Sequence, residues 1–289
     1  MIIKVNYSLS AKICSAVLVL CLVLSSIYRT EADEDNVRLP IVMYHHISED
    51  KNALNDYVIS PEELESDFRY IKEQGYTSLL PDELFKYTEG SLSLPEKVIM
   101  ITFDDGFESV YRYAYPLAVK YGLKFTVAVY GKETERFSKS DDHNILYSYM
   151  TWDEIKELSE SKICEIANHT YSLHSTQGRK GITRNKNEDL DTYLKTVSED
   201  ILNLQNYLAK TEIKPDVFVY PYGFYCKDSK ALIKSLGFKM SFICTKGVNE
   251  ITKNPDCLYN LKRYNRPHGI NTLTFFNKMG DVKKPISLS

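Results

Sequence analysis

Two adjacent carboxylates followed by a glycine form the motif with the clearest chemical potential in this sequence. Asp104 and Asp105 come directly after an apolar run, residues 97–103, and precede Gly106. Glycine lets the backbone turn sharply, so the neighbouring carboxylates can serve different tasks. One can hold a metal ion while the other accepts a proton. The alternative is a turn whose aspartates cap a helix.

Two histidines after a later apolar run offer further metal ligands. His169 and His174 stand in CEIANHTYSLH, just beyond a predicted strand at residues 164–168. Neutral imidazoles joined to one carboxylate can bind a divalent cation and leave positions open for water. Two surface histidines in a loop are the alternative interpretation.

Two further strand ends carry candidate catalytic groups. His45 ends a predicted strand at residues 40–45, and strand alternation sends His45 and His46 to opposite sides. A histidine near a metal-activated nucleophile can protonate a leaving amine, although a packed strand-end histidine fits equally. After a strand at residues 216–220, the Tyr222 backbone N–H in the turn YPYG could face a developing oxyanion, or the turn could be an ordinary one.

The elements that must position these residues alternate along the chain. Apolar runs bounded by turn residues alternate with helical patterns, giving seven or eight β/α units and predicting a closed α/β barrel. The active site of such a barrel gathers at the carboxyl ends of its strands, where the candidate residues stand. Strands are predicted at residues 40–45, 77–80, 97–103, 124–130, 164–168, 216–220, 239–244 and 259–264, and helices at 61–75, 81–87, 108–121, 152–160, 188–209, 227–236 and from 271.

Composition and charge narrow the function classes. The chain has 289 residues, of which 43% are hydrophobic, and its net charge is -3 without a basic stripe, which excludes nucleic acid as an expected partner. Six cysteines are present, and two of them stand in the N-terminal apolar run. The pairing of the other four stays open. They are Cys164, Cys226, Cys244 and Cys257.

The N-terminus has the order of an export signal. Lys4 and Lys12 precede an apolar run, residues 13–27, and an acidic stretch follows. The run is shorter than the roughly 20 residues of a membrane span, which favours a cleaved signal peptide, but Tyr28 and Arg29 stand where small residues are expected. We therefore expect a signal peptide or an uncleaved membrane anchor at residues 1–32, a linker at 33–38 and a catalytic domain at 39–289. The protein would be exported, and thus extracellular, at the cell surface or membrane-anchored.

Together these motifs resemble the polysaccharide deacetylase family, the NodB-homology carbohydrate esterases. The resemblance covers residues 39–280 and rests on the aspartate pair, the later histidine pair and the Pro-Tyr turn, in that order. It implies a distorted (β/α)7-8 barrel and a metal-dependent hydrolase. By this resemblance Asp105, His169 and His174 hold a divalent metal, Zn²⁺ first and Co²⁺ or Ni²⁺ as alternatives, and Asp104 is the base.

The sequence departs from the commonest family pattern in three places. The histidines are five residues apart rather than four, no arginine precedes YPYG, and no LxH motif stands near the C-terminus. The biofilm poly-N-acetylglucosamine deacetylases are similar in all three respects, and that resemblance makes His45 the acid instead of His46. Arg263 would supply the missing positive charge near Asp104, and His268 is a weaker competitor for the acid role.

The resemblance also implies a substrate. We expect an N-acetylated extracellular polysaccharide similar to poly-N-acetylglucosamine, with Trp152 and Tyr222 available to stack on sugar rings. Peptidoglycan amino sugars, chitin-like oligomers and ester-linked acetate stay open. A wall-glycan-binding domain without catalysis is the alternative from another class.

Overall fold

The computed structural model describes residues 36–280. The predicted export segment, residues 1–32, lies outside the described residues, as does the first half of the predicted linker, residues 33–35. From Arg38 onward the described residues form one compact unit. Between residues 36 and 280, no helix combines the length and the apolar character needed to cross a membrane.

Strands and helices alternate along most of the described chain. The strands are β1 (Val37–Leu39), β2 (Ile41–Tyr44), β3 (His46–Ile47), β4 (Val58–Ile59), β5 (Thr77–Ser78), β6 (Val98–Phe103), β7 (Phe125–Val129), β8 (Cys164–Asn168), β9 (Val217–Val219), β10 (Met240–Phe242), β11 (Asn249–Ile251) and β12 (Tyr264–Asn265). The α-helices are α1 (Pro61–Glu73), α2 (Pro81–Thr88), α3 (Tyr115–Tyr121), α4 (Gly131–Ser140), α5 (Trp152–Glu160), α6 (Leu190–Lys210), α7 (Lys227–Ser235) and α8 (Thr272–Lys278).

A curled parallel sheet forms the centre of the fold. Its strand order is β10-β9-β8-β7-β6-β2-β12, and β5 pairs with β6 beside this path. The chain just before β12 also bonds to the opposite edge, because the Leu261 N–H donates to Ser241 O at 2.8 Å and the Arg263 N–H donates to Thr245 O at 3.0 Å. Residues 261–265 therefore join both edges of the sheet, and the predicted distorted barrel is confirmed.

Local sequence chemistry explains where helix α1 begins and why strand β6 is buried. Ser60 caps α1, accepting a hydrogen bond from the Glu63 N–H while the Glu63 side chain accepts from the Ser60 N–H. Pro61 stands in the first turn, where its missing N–H costs nothing. All six residues of β6 are buried, as expected for a parallel strand covered on both faces.

The helix predicted at residues 108–121 contains a π-helical stretch. Val110–Ala114 form a π-helical turn, in which the Tyr115 N–H bonds to Val110 O, and α3 follows. Pro116 has no N–H to offer the preceding turn, so a regular α-helical ladder cannot run through it. The predicted bounds of the helix are nevertheless confirmed, because residues 108–121 are helical throughout.

The last predicted strand, at residues 259–264, was placed incorrectly. Pro255–Leu258 form a 3₁₀ turn, Asn260 has a positive φ of 59°, and extended pairing with β2 begins only at Tyr264. A left-handed residue interrupts an extended run, which explains the short β12. The four cysteines within the described residues are free thiols.

Glu165 gives the fold a testable pH dependence. Burial, aided by the nearby carboxylates Asp82 and Glu83, raises the pKa of Glu165 from 4.5 to about 7. Because the folded state holds the proton of Glu165 more tightly than the unfolded state does, this group favours folding most below pH 4.5. The free energy of unfolding falls as pH rises from there, and the contribution is lost once pH has passed 7. Glu165→Gln keeps an oxygen acceptor for the Asp82 N–H. At pH 8 we expect the variant to have a free energy of unfolding about 1–3 kcal/mol higher than the wild type. Its melting temperature should accordingly be higher by roughly 2–10 °C.

Thermal unfolding followed by circular dichroism between pH 4.5 and 8 checks this prediction. The difference between variant and wild type should shrink toward zero at pH 4.5. Glu96→Gln, at an exposed position, is the control and should leave the pH profile unchanged. A pH-independent difference for Glu165→Gln would contradict the prediction.

Candidate active site

A cavity of about 810 Å³ opens at the carboxyl ends of β2, β6, β8 and β9. Each of these strands is followed, within three residues, by a residue that the sequence analysis singled out. The residues that line the cavity include His45, Asp104, Asp105, His169, His174 and Tyr222. The structure therefore brings to one place residues that lie up to 177 positions apart in the chain.

Asp105 and the two histidines converge on one point. The Asp105 Oδ1 atom lies 3.4 Å from His169 Nε2 and 3.1 Å from His174 Nε2. One ligand atom from each of the three residues lies within 4.8 Å of the others. Two imidazoles and one carboxylate are a suitable donor set for Zn²⁺, Co²⁺ or Ni²⁺, and three protein ligands leave positions for water and substrate.

Neighbouring groups fix the orientation of these ligands. His169 Nδ1 lies 2.8 Å from Val219 O and donates to it, so the neutral form of the imidazole carries on Nε2 the lone pair that a metal ion needs. The His174 ring lies between Tyr130 and Tyr222, at centroid distances of 5.0 and 4.6 Å. These contacts hold both rings in place before any ion binds.

The backbone at Asp105 is held in an unusual conformation. Its φ is 72°, and that of Gly106 is 80°. The turn is fixed because Asp105 O accepts from the Tyr130 N–H at 3.2 Å and Gly106 O accepts from the Met150 N–H at 2.9 Å. A left-handed non-glycine residue costs about 1–3 kcal/mol and persists only where the surroundings enforce it. Here it aims adjacent carboxylates in different directions.

Asp105 is prepared for a cation by its surroundings. Burial acts to raise the pKa of Asp105, but hydrogen bonds from His169 and His174 outweigh it and lower the pKa well below the ordinary value. The carboxylate is therefore ionised at neutral pH. A site made of one ionised carboxylate and two imidazole nitrogens binds a divalent cation better than it binds a neutral molecule.

Arg263 forms a bidentate ion pair with Asp104. Its Nη1 and Nη2 atoms lie 2.6 and 2.7 Å from the two oxygens of Asp104, and the arginine is fully buried. Nε donates to Ile243 O at 3.1 Å, and Nη1 lies 3.2 Å from Thr102 Oγ1. Burial acts to raise the pKa of Asp104, but the charge and hydrogen bonds of Arg263 hold it below the ordinary value. Asp104 is thus ionised and fixed in direction.

His45 stands between β2 and β3 and faces the same cavity. Its ring packs edge-on against Tyr57 at 5.0 Å, and its Nδ1 atom is buried without a hydrogen-bond partner in the described part of the chain. Burial lowers the pKa of His45, although the charges of Asp105 and Asp104 oppose this effect. The ring therefore lines the same cavity as Asp104 and Asp105.

The two other histidines weighed for the acid role are engaged elsewhere. His46 Nδ1 lies 2.8 Å from Ser109 Oγ, and burial lowers the pKa of His46 to about 4. His268 Nδ1 lies 2.8 Å from Glu63 Oε2, and this residue does not line the cavity. Both His45 and His46 line the cavity, whereas His268 does not.

The two residues expected to stack on sugars are placed differently. Tyr222 has a φ of 56°, is 44% exposed and borders the cavity beside His174. Trp152 is not brought to this cavity. Its indole stacks on Tyr207 at 5.4 Å and borders a separate depression.

Sequence reasoning missed several groups around the cavity. Tyr57, which is 58% exposed, stands at the mouth beside His45. Asn265 donates through Nδ2 to Asp56 O at 2.6 Å, while its Oδ1 atom is buried without a partner among the described residues. Loop folding brings these residues to the site, and no spacing pattern in the sequence indicates it.

Comparison with known proteins agrees with this geometry. A family model described as polysaccharide deacetylase matches residues 92–241, just over half of the chain. The poly-beta-1,6-N-acetyl-D-glucosamine N-deacetylase of Escherichia coli K12 is 24% identical over 227 residues, which cover 72% of this chain and 34% of that protein. The protein of the same name from Staphylococcus epidermidis is 25% identical over 232 residues, which cover 73% of this chain and 76% of that protein. The chain thus spans about a third of the length of the E. coli relative.

Solved structures show the same fold. IcaB from Ammonifex degensii is 25% identical, with a TM-score of 0.66 over 80% of this chain and 93% of that one. The Streptococcus pyogenes deacetylase PplD, solved in complex with acetate, is 22% identical, with a TM-score of 0.67 over 84% of this chain and 98% of that one. With the match to the family model, these findings show that the chain belongs to the polysaccharide deacetylase family.

Proposed function

We propose that this protein is a metal-dependent deacetylase that removes N-acetyl groups from an extracellular polysaccharide similar to poly-β-1,6-N-acetylglucosamine and releases acetate. The observation that carries the proposal is the arrangement of Asp104, fixed by Arg263, beside the Asp105, His169 and His174 cluster. The two curated relatives described above are named for this substrate.

Asp105, His169 and His174 would hold the metal ion. When bound, a divalent ion supplies Lewis acidity, which polarises the amide carbonyl and makes water a better nucleophile at neutral pH. Asp104 accepts a proton from that water. Because Arg263 binds both of its oxygens, Asp104 is ionised over the whole neutral range, at some cost in basicity.

His45 would donate the proton that lets the sugar amine leave. Its Nδ1 atom has no hydrogen-bond partner in the described structure, and its ring shares the cavity with Asp104. The Tyr222 backbone N–H would bind the carbonyl oxygen as negative charge develops there. The exposed ring of Tyr57 at the cavity mouth offers an apolar face to a sugar ring.

We also propose that the protein is exported. Support comes from Lys4 and Lys12 before the apolar run at residues 13–27. If the run stays uncleaved, it would anchor the catalytic domain to the membrane. Fractionation of cells expressing the tagged protein, followed by N-terminal sequencing, distinguishes cleavage from anchoring. Recovery of the uncleaved protein in the cytosol would contradict export.

Acetate release tests the proposed reaction. The full-length protein in mild detergent should release acetate from poly-β-1,6-N-acetylglucosamine oligomers, and chelation should abolish the activity until Zn²⁺, Co²⁺ or Ni²⁺ is restored. Purified peptidoglycan and chitin oligomers are the competing substrates. Undiminished activity after chelation would overturn metal dependence. Glycan binding without acetate release from any substrate would favour a non-catalytic domain instead.

His45→Gln separates the candidate acids. We expect its kcat to fall by about 10²–10⁴-fold, because the leaving amine would lose its proton donor. His268→Gln is the matched control, since His268 also faces a carboxylate but lies outside the cavity. Steady-state acetate release measures both variants. Loss of activity in His268→Gln with a fully active His45→Gln would reverse the assignment.

A further inference from the structure

A second cluster of metal-ligating side chains lies beside the active-site turn. One ligand atom each from Glu108, His143 and Glu154 lies within 4.8 Å of the others. The three residues come from different elements. Glu108 follows the Asp104-Asp105-Gly106 turn, His143 stands in the loop between α4 and α5, and Glu154 lies in the first turn of α5.

Glu108 is the buried member of this cluster. Its side chain is only 1% exposed, and its Oε1 atom lies 2.9 Å from Arg112 Nε and 3.0 Å from His143 Nδ1. Its Oε2 atom is buried and has no hydrogen-bond partner in the described part of the chain. Buried carboxylate oxygens normally accept at least one hydrogen bond, so an oxygen without a hydrogen-bond partner indicates that a binding partner is missing.

The other ligands are already positioned. Glu154 Oε2 accepts hydrogen bonds from the Thr151 N–H at 2.9 Å and the Thr151 hydroxyl at 3.1 Å, which fixes the direction of this carboxylate. His143 Nε2 lies 3.2 Å from Asp141 Oδ1. The imidazole thus stands among carboxylates with its side chain 38% exposed, and an ion from solvent can reach it.

The charge of the cluster favours a divalent cation. Three carboxylates, those of Glu108, Glu154 and Asp141, lie close to His143, and one guanidinium, that of Arg112, pairs with Glu108. With His143 neutral, two negative charges are left uncompensated. Arg112 is 49% exposed and can turn toward solvent when a cation arrives. One imidazole nitrogen and two carboxylate oxygens suit Zn²⁺ and similar transition metals better than they suit Ca²⁺ or Mg²⁺.

We propose that Glu108, His143 and Glu154 form a second binding site for a divalent transition-metal ion of the Zn²⁺ class. Such an ion ties the loop at residues 141–149 to the active-site turn. The loop already touches that turn, since Tyr149 pairs with Phe107 and the Met150 N–H donates to Gly106 O at 2.9 Å. The second ion is structural and does not depend on the proposed deacetylase activity.

Zinc stoichiometry tests this proposal. The tag-free, full-length protein in mild detergent is equilibrated with Zn²⁺, freed of excess by gel filtration, and analysed by mass spectrometry for zinc per chain. We expect two equivalents in the wild type and one in His143→Ala. His268→Ala is the matched control, with a histidine 40% exposed and paired to one carboxylate, and should retain two.

A background without the active-site ligands isolates the second site. Asp105→Ala/His174→Ala should retain one equivalent of zinc, and Zn²⁺ should raise its melting temperature. Adding His143→Ala should abolish both effects. If that triple variant fails to fold, Glu154→Gln in the same background replaces it. Equal zinc content and equal Zn²⁺-induced melting shifts with and without His143 would overturn the proposal.

Discussion

Asp104→Asn is expected to lower the kcat for acetate release by about 10²–10⁴-fold while leaving one zinc ion at the Asp105, His169 and His174 cluster. The asparagine amide cannot accept a proton from water, so the base is lost. The proposed metal ligands are different side chains, and Asp105 Oδ1 lies 3.4 Å from His169 Nε2 and 3.1 Å from His174 Nε2. The variant should therefore separate proton transfer from metal binding.

Asp105→Asn is the matched comparison for that experiment, because it changes the adjacent carboxylate in the same way. We expect it to lose both zinc at this cluster and activity. Zinc content and kcat should be measured on the same preparations, together with the melting temperature, because the Asp104→Asn amide nitrogen will face an Arg263 donor. Full activity in Asp104→Asn would exclude Asp104 as the base, and loss of zinc would identify it as a ligand.

The residues at strand ends could be predicted from the sequence because the signal there is local. A continuous apolar run such as Val98–Phe103 indicates a buried parallel strand, and polar residues directly after it must lie at the barrel mouth. The same reasoning located the histidines after β8 and the turn after β9. Family resemblance then supplied the roles, which the proposed experiments test.

The remaining features depend on long-range folding. Arg263 was expected near Asp104, but its bidentate geometry depends on residues 261–265 joining β10 and β2, and the two partners are 159 positions apart. Trp152 was expected at the substrate, yet Tyr207 from α6 covers one face of its ring. The orphaned oxygen of Glu108 could not be predicted, since it results from packing and not from sequence spacing.

Arg263→Met is expected to destabilise the protein strongly and to lower its activity. The substitution leaves the buried Asp104 carboxylate without its only bidentate partner among the described residues. Removing one member of a buried ion pair typically costs about 3–5 kcal/mol, which corresponds to a melting temperature lower by roughly 6–20 °C in a domain of this size. Arg263→Lys keeps the charge but not the fork geometry, so an intermediate loss is expected.

Arg266→Met is the matched control, because Arg266 and Asp67 form another buried pair, with Nε to Oδ2 at 2.7 Å, and neither residue lines the cavity. It should destabilise the fold to a similar extent while preserving the kcat of the folded protein. Arg263→Met should lower both quantities, since it also frees Asp104 to change direction.

The double variant Arg263→Met/Asp104→Asn provides the sharper measurement. Once the unpaired carboxylate has been removed, part of the lost stability should return, although activity should not. Denaturant unfolding of the wild type, both single variants and the double variant completes the cycle. If the losses of the two single variants simply add, the ion pair does not couple these residues, and the positioning of Asp104 must come from other contacts.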